Sequence, residues 1–174
     1  MKPLALAHGK TVLLVEDDPI YAEFLVSSIA KSKLLFTVTH LATLDQALAF
    51  LRGDAPWSDR RLHPIPAVVL LDLTLGAANG FPVLRWLQEQ GELQNEKTRV
   101  VMLTASDRSA DIQQALDLGA LSYLVKSPFA DSVLQLLAKF AITDSPLIPP
   151  RPDVRPPLRE HPSTSFRLAG HAMT

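Results

Sequence analysis

The sequence predicts an α/β domain built on an open, doubly wound parallel sheet, and two observations support this fold class. Patterns typical of strands and of helices alternate five times between residues 11 and 141. The strand-like segments are continuous apolar runs, which is typical of parallel strands with both faces covered. Strands that alternate with helices favour right-handed crossovers, and these place helices on both faces of one sheet.

The predicted strands are short, and polar residues mark where they end. The first strand is followed by Glu16, Asp17 and Asp18, and the third, which is the most apolar, is followed by Asp72. The five predicted strands are residues 11–15, 35–40, 67–71, 99–103 and 121–125.

Capping residues mark where the predicted helices begin and end. Asp18 is placed to cap the first helix, with Pro19 in its first turn, and Thr43 is placed to cap the second. Gly53 and Gly119 follow the second and fourth helices, where glycine commonly ends a helix. The five predicted helices are residues 19 to about 31–33, 43–51, 81–90, 109–118 and 131–141.

Composition divides the chain into three parts. Residues 10–144 form the predicted domain, preceded by an N-terminal extension of residues 1–9. Residues 145–174 contain seven of the 14 prolines and four arginines. They bury too little apolar surface to offset their ordering entropy, so we expect a disordered tail. Within the domain, residues 54–66 form a polar, proline-broken loop, which we expect to pack through a single tryptophan, Trp57.

Composition also limits the classes of function. The formal net charge is −1 and there is no cysteine. These values argue against broad electrostatic binding of nucleic acid and exclude disulfides and thiolate chemistry from this chain. No stretch reaches the ~18 apolar residues needed to span a bilayer, and residues 1–15 lack the apolar core of a signal peptide. We therefore expect a cytoplasmic protein that binds neither nucleic acid nor a membrane.

Four of the predicted strands end in side chains that can carry chemistry. The carboxyl ends of parallel strands lie at one edge of the sheet, where ligands bind in folds of this class. We therefore expect the side chains that follow these strands to converge there. They are Glu16 and Asp17 after the first strand, Asp72 after the third, Thr104 after the fourth and Lys126 after the fifth.

A cluster of three carboxylates requires a compensating cation. Two carboxylates about 4 Å apart repel each other by roughly 4 kcal/mol at an effective dielectric constant near 20. Oxygen ligands with open positions suit Mg²⁺, which keeps part of its water shell in proteins. With Lys126 and Thr104, this ion would bind the oxygens of a phosphoryl group beside a carboxylate nucleophile. The cluster therefore indicates phosphoryl transfer.

Four segments resemble the signature motifs of response-regulator receiver domains of two-component signalling, in order and at suitable separations. They are VLLVEDDP, LLDLTLGAANG, VMLTAS and YLVKSPF, and the resemblance covers roughly residues 10–142. It implies a flavodoxin-like fold with the strand order 2-1-3-4-5. The long loop, and a lysine followed by serine, resemble small cyanobacterial-type regulators that serve phytochrome histidine kinases.

The resemblance implies a role for each matching residue. Asp72 matches the phosphoacceptor and also a metal ligand. Glu16 and Asp17 match the acidic pair, with Asp17 as the direct ligand of Mg²⁺ and Glu16 acting through water. The backbone carbonyl of Thr74 matches the third protein ligand of the metal. The remaining matches are the switch hydroxyl, Thr104, the switch aromatic residue, Tyr123, and the lysine of the site, Lys126.

Two positions depart from the family pattern. Gly76 stands where the family usually has proline, which predicts a more mobile turn after the third strand. Ser127 separates Lys126 from Pro128, and this disfavours a cis peptide after the lysine, since cis bonds are essentially a feature of proline. Neither change removes a reacting group.

Simpler interpretations stay open beside these roles. Asp18 precedes Pro19 and is expected to be a helix cap rather than a ligand, and Tyr123 fits a plain packing role in its strand. Two other functions are a receiver that is not phosphorylated and a small phosphatase of the haloacid-dehalogenase type. The phosphatase needs an Asp-x-Asp motif after the first strand, which residues 16–18 do not clearly provide.

The combined prediction is a response regulator without a DNA-binding output domain. Asp72 would take a phosphoryl group from a phosphohistidine of a sensor histidine kinase, and the resemblance of the long loop favours a kinase of the phytochrome type. The chain would catalyse only its own phosphorylation and dephosphorylation. The apolar face of the fifth helix is wider than packing on one core requires, which predicts a homodimer through helix 4, strand 5 and helix 5. The residues of that face are Val133, Leu134, Leu136, Leu137, Phe140 and Ala141.

Overall fold

Five parallel strands form the central sheet in the computed structural model, which describes residues 10–93, 98–105 and 108–142. The predicted N-terminal extension of residues 1–9 and the tail of residues 145–174 lie outside the described residues. The strands of the sheet are β1 (Lys10–Val15), β2 (Phe36–Leu41), β3 (Val68–Asp72), β6 (Arg99–Thr104) and β7 (Ser122–Val125). A separate two-stranded hairpin consists of β4 (Thr74–Leu75) and β5 (Ala78–Asn79).

The order of the sheet is β2-β1-β3-β6-β7, which confirms the predicted order 2-1-3-4-5 for the five predicted strands. Every neighbouring pair in the sheet is parallel. Leu14 of β1 lies between His40 of β2 and Leu70 of β3, so the ends of these three strands are level with one another. All five residues of β3 are buried, as the continuous apolar run predicted.

The helices begin and end close to the predicted boundaries, and the predicted caps are confirmed. The Asp18 side chain accepts hydrogen bonds from the backbone N–H groups of Ile20 and Tyr21, at 2.9 and 3.3 Å. Thr43 accepts one from the N–H of Gln46 at 3.2 Å. The five helices are α1 (Pro19–Lys31), α2 (Leu44–Arg52), α3 (Phe81–Glu89), α4 (Ser109–Asp117) and α5 (Asp131–Ile142). None of them, within the described residues, is long and apolar enough to cross a bilayer.

The sheet separates two apolar cores. Successive side chains of a strand point to opposite faces, so Leu13 and Val15 of β1 pack with α2, α3 and α4, whereas Val12 and Leu14 pack with α1 and α5. Helices cover both faces of the sheet, so the site is sought at the carboxyl ends of the strands, where ligands bind in folds of this class.

The long loop after α2 is fixed by two side chains. Trp57 packs edge-on against Phe50 of α2, with ring centroids 5.9 Å apart, as the sequence predicted. Arg60 points inward, and its guanidinium donates to the carbonyls of Phe50 at 2.9 Å and Leu51 at 2.6 Å. These carbonyls belong to the last turn of α2, where backbone acceptors have few helical partners, although that of Phe50 also accepts from the N–H of Gly53 at 3.1 Å. Arg60 therefore caps this helix, a role that the sequence did not indicate.

The neighbouring arginines of this loop provide a matched test of its packing. We expect Arg60→Ala to lower the free energy of unfolding by about 2 kcal/mol, because it leaves buried carbonyls without a charged donor. Arg61 is exposed and pairs with Asp59 at the surface, so Arg61→Ala should leave stability unchanged within error. Urea unfolding of both variants would measure this. Equal stabilities would contradict the capping role of Arg60.

Candidate functional site

The acidic pair, Glu16 and Asp17, directly follows β1, and hydrogen bonds to the end of β2 hold the backbone of Glu16 in place. The N–H of Glu16 donates to the carbonyl of Leu41 at 3.0 Å, which extends the pairing of β1 and β2 by one residue. The carbonyl of Glu16 is 2.8 Å from Nε2 of His40. The Glu16 side chain is fully buried, whereas Asp17 is exposed at the rim of the site. The two carboxylates therefore enter one site from different depths.

Asp72 ends the central strand β3 and lies at the centre of the site. Its side chain is buried, and both of its carboxylate oxygens have hydrogen-bond partners. Oδ1 accepts from the N–H of Thr74 at 3.1 Å, and Oδ2 accepts from Nζ of Lys126 at 2.8 Å. The backbone around Asp72 is tightly packed, because a Cβ atom at Gly80 would overlap the carbonyl oxygen of Asp72.

Lys126 joins the two buried carboxylates from the end of β7. Its N–H donates to the carbonyl of Thr104 at 2.6 Å, and its Nζ donates to Oε1 of Glu16 at 2.7 Å in addition to Asp72. The ammonium also lies 5.1 Å from the ring centroid of Tyr21 on α1, a cation–π contact that the sequence did not reveal. The aromatic ring thus covers one side of the ammonium group.

The donor set fits a divalent cation. Oxygen atoms of Glu16, Asp17 and Asp72 lie within 4.8 Å of one another. One ammonium cannot neutralise three carboxylates at this distance. Oε2 of Glu16 is buried without a hydrogen-bond partner among the described residues, a state that is costly unless water or an ion satisfies the atom. Hard oxygen ligands with a buried, unsatisfied acceptor are the surroundings that Mg²⁺ requires.

The charges of the site shift the pKa values of two of its members. Burial, together with the charge of Asp72, raises the pKa of Glu16, although the hydrogen bond from Lys126 works in the opposite direction. Burial would lower the pKa of Lys126, but the hydrogen bonds to Asp72 and Glu16 outweigh it, and that pKa is raised. Ionised Glu16 is therefore held at a cost to the fold, and Lys126 stays charged.

The remaining predicted residues lie at or near the same edge. Thr104 is buried at the end of β6, and its carbonyl is bonded to the backbone of Lys126. Thr74 is exposed and begins the β4–β5 hairpin immediately beyond Asp72. Tyr123 is half-buried and packs against the core cluster that also contains Ala115 of α4. Its predicted switch role and the simpler packing role both fit this position.

The hairpin after β3 is the part of the site that sequence reasoning missed. Gly76 was expected to make this turn more mobile, yet Thr74 pairs with Asn79 and Leu75 with Ala78 in an antiparallel hairpin. The N–H of Gly76 donates to Oδ2 of Asp17 at 2.8 Å. The sequence did contain a signal for this hydrogen bond. Glycine stands where the family usually has proline, and proline has no N–H to donate.

Comparisons with known proteins identify the family of the chain. The family model of the response regulator receiver domain matches residues 12–138. Solved structures similar to this chain include the Mn²⁺-bound response regulator Rcp1, at 26% identity and a TM-score of 0.62, with 75% of this chain and 91% of that chain covered. The phosphorylated cyanobacterial phytochrome response regulator RcpA is 25% identical, with a TM-score of 0.66 and coverage of 80% and 99%.

Curated relatives are longer than this chain. The alkaline phosphatase synthesis transcriptional regulatory protein SphR of Synechococcus elongatus is 32% identical over 127 residues, which are 73% of this chain and 46% of that protein. The chain spans half or less of the length of the curated relatives matched most strongly. The match to the receiver family also makes the haloacid-dehalogenase alternative wrong.

The raised pKa of Glu16 leads to a prediction about pH. Glu16→Gln keeps an acceptor oxygen for Lys126 but removes a buried charge. Because ionisation of Glu16 is disfavoured in the folded state, the stability of the metal-free wild type falls as the pH rises through this pKa. We expect the variant to be more stable than the wild type at pH 8, by on the order of 1 kcal/mol, and the difference to shrink as the pH falls.

Urea unfolding in EDTA, from pH 8 down to acidic pH, measures the difference in the free energy of unfolding between the variant and the wild type. Glu23→Gln on α1 is the control, because Glu23 is exposed and should show no pH-dependent gain. A Glu16→Gln variant less stable than the wild type at pH 8 would show that the attraction to Lys126 outweighs the cost of burial.

Proposed function

Because the chain belongs to the response regulator receiver domain family of two-component systems, we propose that Asp72 accepts a phosphoryl group from a phosphohistidine of a histidine kinase. The observation that carries this proposal is the position of Asp72, buried at the end of the central strand. Its carboxylate accepts a hydrogen bond from the ammonium of Lys126 and lies within 4.8 Å of carboxylate oxygens of Glu16 and Asp17. Charge that develops on a transferred phosphoryl group would meet a fixed cation there.

We propose that the transfer depends on Mg²⁺. The ligands would be Asp17, Asp72 and the carbonyl of Thr74, with Glu16 acting through water, as the family resemblance implies. The buried, unpartnered Oε2 of Glu16 supports this assignment, because a water bound to a metal ion can donate to it. Mg²⁺ would neutralise the carboxylates and a phosphoryl oxygen. The Mn²⁺-bound state of the similar protein Rcp1 is consistent with such a site.

The residues of the chain supply the other steps. A carboxylate oxygen of Asp72 attacks phosphorus, the bond from phosphorus to the kinase imidazole nitrogen breaks, and an acyl phosphate forms on Asp72. Lys126 is bonded to both Asp72 and Glu16. The Lys126 ammonium can therefore exchange its hydrogen bond to Asp72 for one to a phosphoryl oxygen, while its hydrogen bond to Glu16 is kept. The Thr104 hydroxyl, also at this edge, would bind another phosphoryl oxygen.

The partner would be a sensor histidine kinase, and two similarities favour the phytochrome type. The long loop and the lysine–serine pair resemble such regulators, and RcpA is described as a phytochrome response regulator. The chain would act in the cytoplasm, and it would catalyse its own phosphorylation and dephosphorylation rather than turn over an external substrate.

The acceptor assignment has a direct test. Acetyl phosphate with Mg²⁺ should add one phosphoryl group to the wild type, and Asp72→Asn should reduce the labelling to background because the nucleophilic oxygen is lost. Asp18→Asn is the matched control, since Asp18 is an exposed helix cap and asparagine caps equally well. Mass spectrometry of the intact proteins measures the labelling, and full labelling of Asp72→Asn would refute the assignment.

We also propose a homodimer through α4, β7 and α5. The apolar face of α5 that is available to a partner is smaller than the sequence predicted, because Val133, Leu137 and Phe140 are buried in the core. Leu134 and Leu136 are half-buried and pack against the same core, and Ala141 is exposed, so these three residues of the face have apolar surface left for a partner.

Leu136→Lys should shift the wild-type dimer towards the monomer in sedimentation, because it places a charge in the interface. Gln135→Lys adds the same charge at an exposed position of α5 and should not. Phe140, which the sequence marked as part of this face, is only 1% exposed, so its replacement would damage the core instead. A wild type that sediments as a monomer at every concentration, with or without beryllofluoride, would refute the dimer.

A further inference from the structure

One segment of backbone binds two carboxylates of the site. The β4–β5 hairpin directs the N–H of Thr74 at Oδ1 of Asp72, 3.1 Å away, and the N–H of Gly76 at Oδ2 of Asp17, 2.8 Å away. Asp17 and Asp72 follow different strands and are 55 positions apart in the sequence. The hairpin backbone therefore bonds to both carboxylates and links the position of one to that of the other.

The contact to Asp17 depends on the residue at position 76. Gly76 has φ of +60°, a conformation that L-residues rarely adopt, and a Cβ atom there would meet nothing within 4 Å. Proline could neither reach this φ nor donate a hydrogen bond. Glycine at this position therefore provides both the turn and the donor, and the donor is the backbone itself.

The hairpin can orient Asp17 because it is itself anchored. Leu75 is buried in the core on the α2–α4 side of the sheet. The N–H of Gly80, just after β5, donates to the carbonyl of Leu73 at 2.9 Å, which closes the base of the hairpin. Asp17 is exposed on a loop and would otherwise be free to rotate. The hydrogen bond from this anchored hairpin gives the Asp17 carboxylate a defined orientation.

We propose that the Gly76 amide is a positioning group for the metal ion. It holds Oδ2 of Asp17 so that the other carboxylate oxygen is presented towards Glu16 and Asp72 before the ion arrives. The inference rests on the proposed Mg²⁺ site. Hydrogen-bond partners of metal ligands typically change metal affinity by 10- to 100-fold when they are removed, and we expect an effect at the lower end of this range.

The test is the Mg²⁺ dissociation constant of the full chain, measured by calorimetry. Replacing Gly76 by glycolic acid, through nonsense suppression, exchanges the amide for an ester and removes the N–H with little change in shape. Gly76→Pro removes the same N–H genetically, and Gly76→Ala keeps it. We expect the ester and proline variants to bind Mg²⁺ about tenfold more weakly than the wild type. Gly76→Ala should stay within about threefold in Mg²⁺ affinity, since alanine retains the N–H and meets no atom, while its strain at φ +60° should appear as a lower melting temperature.

Melting temperatures in EDTA, with circular dichroism, separate this role from a structural one. If the Gly76 amide is a positioning group, Mg²⁺ affinity should fall in the variants that lack the N–H, whatever their melting temperatures. If Gly76→Pro unfolds the hairpin, the ester variant alone decides. An ester variant that binds Mg²⁺ as tightly as the wild type would overturn the inference and leave the metal site intact. A wild type that binds no Mg²⁺ would overturn the proposed function and this inference together.

Discussion

Electrostatic repulsion among three carboxylates is the constraint on which the site depends. Glu16, Asp17 and Asp72 are gathered at one edge of the sheet, two of them buried, with Lys126 as the cation that joins the two buried members. Like charges at such distances repel by several kcal/mol in a partly buried setting. The arrangement is held together by the rigidity of the packed fold, and the proposed Mg²⁺ would offset the charge that Lys126 leaves uncompensated. Burial, together with the repulsion from Asp72, raises the pKa of Glu16.

The rigidity comes from the two-sided core. Each strand that carries a member of the site has helices on both faces or lies next to a strand that does, so strand ends cannot shift without disturbing packed side chains on both sides of the sheet. Glu16 is also fixed through its backbone, between Leu41 and His40. The packing free energy of the core thus offsets the electrostatic repulsion among the carboxylates, and the reacting groups keep their relative positions.

Sites of this kind are positioned by backbone groups as well as by side chains. The hairpin amides of Thr74 and Gly76 contact Asp72 and Asp17, and the lysine backbone is bonded to Thr104. Backbone donors lose no rotamer freedom when they bind a carboxylate, so they orient it at little entropic cost. A substitution that looks neutral because it removes no reacting side chain can therefore still change the site, as glycine at position 76 illustrates.

The sequence by itself determined the fold class, the strand order and which residues meet at the edge of the sheet. The fold class and the residues at the edge follow from local signals: apolar runs, the caps Asp18 and Thr43, and polar residues directly after the strands, which parallel pairing must bring together. The strand order followed instead from the resemblance of four segments to receiver domains. Tertiary structure alone decided that Arg60 turns inward to cap α2 and that Tyr21 covers Lys126. It also decided that Phe140 is core rather than surface and that the Gly76 amide reaches Asp17. The physical reason is that these contacts join segments far apart in the chain through single side chains or single amides. No periodicity or composition records where such a group points until the whole domain is packed.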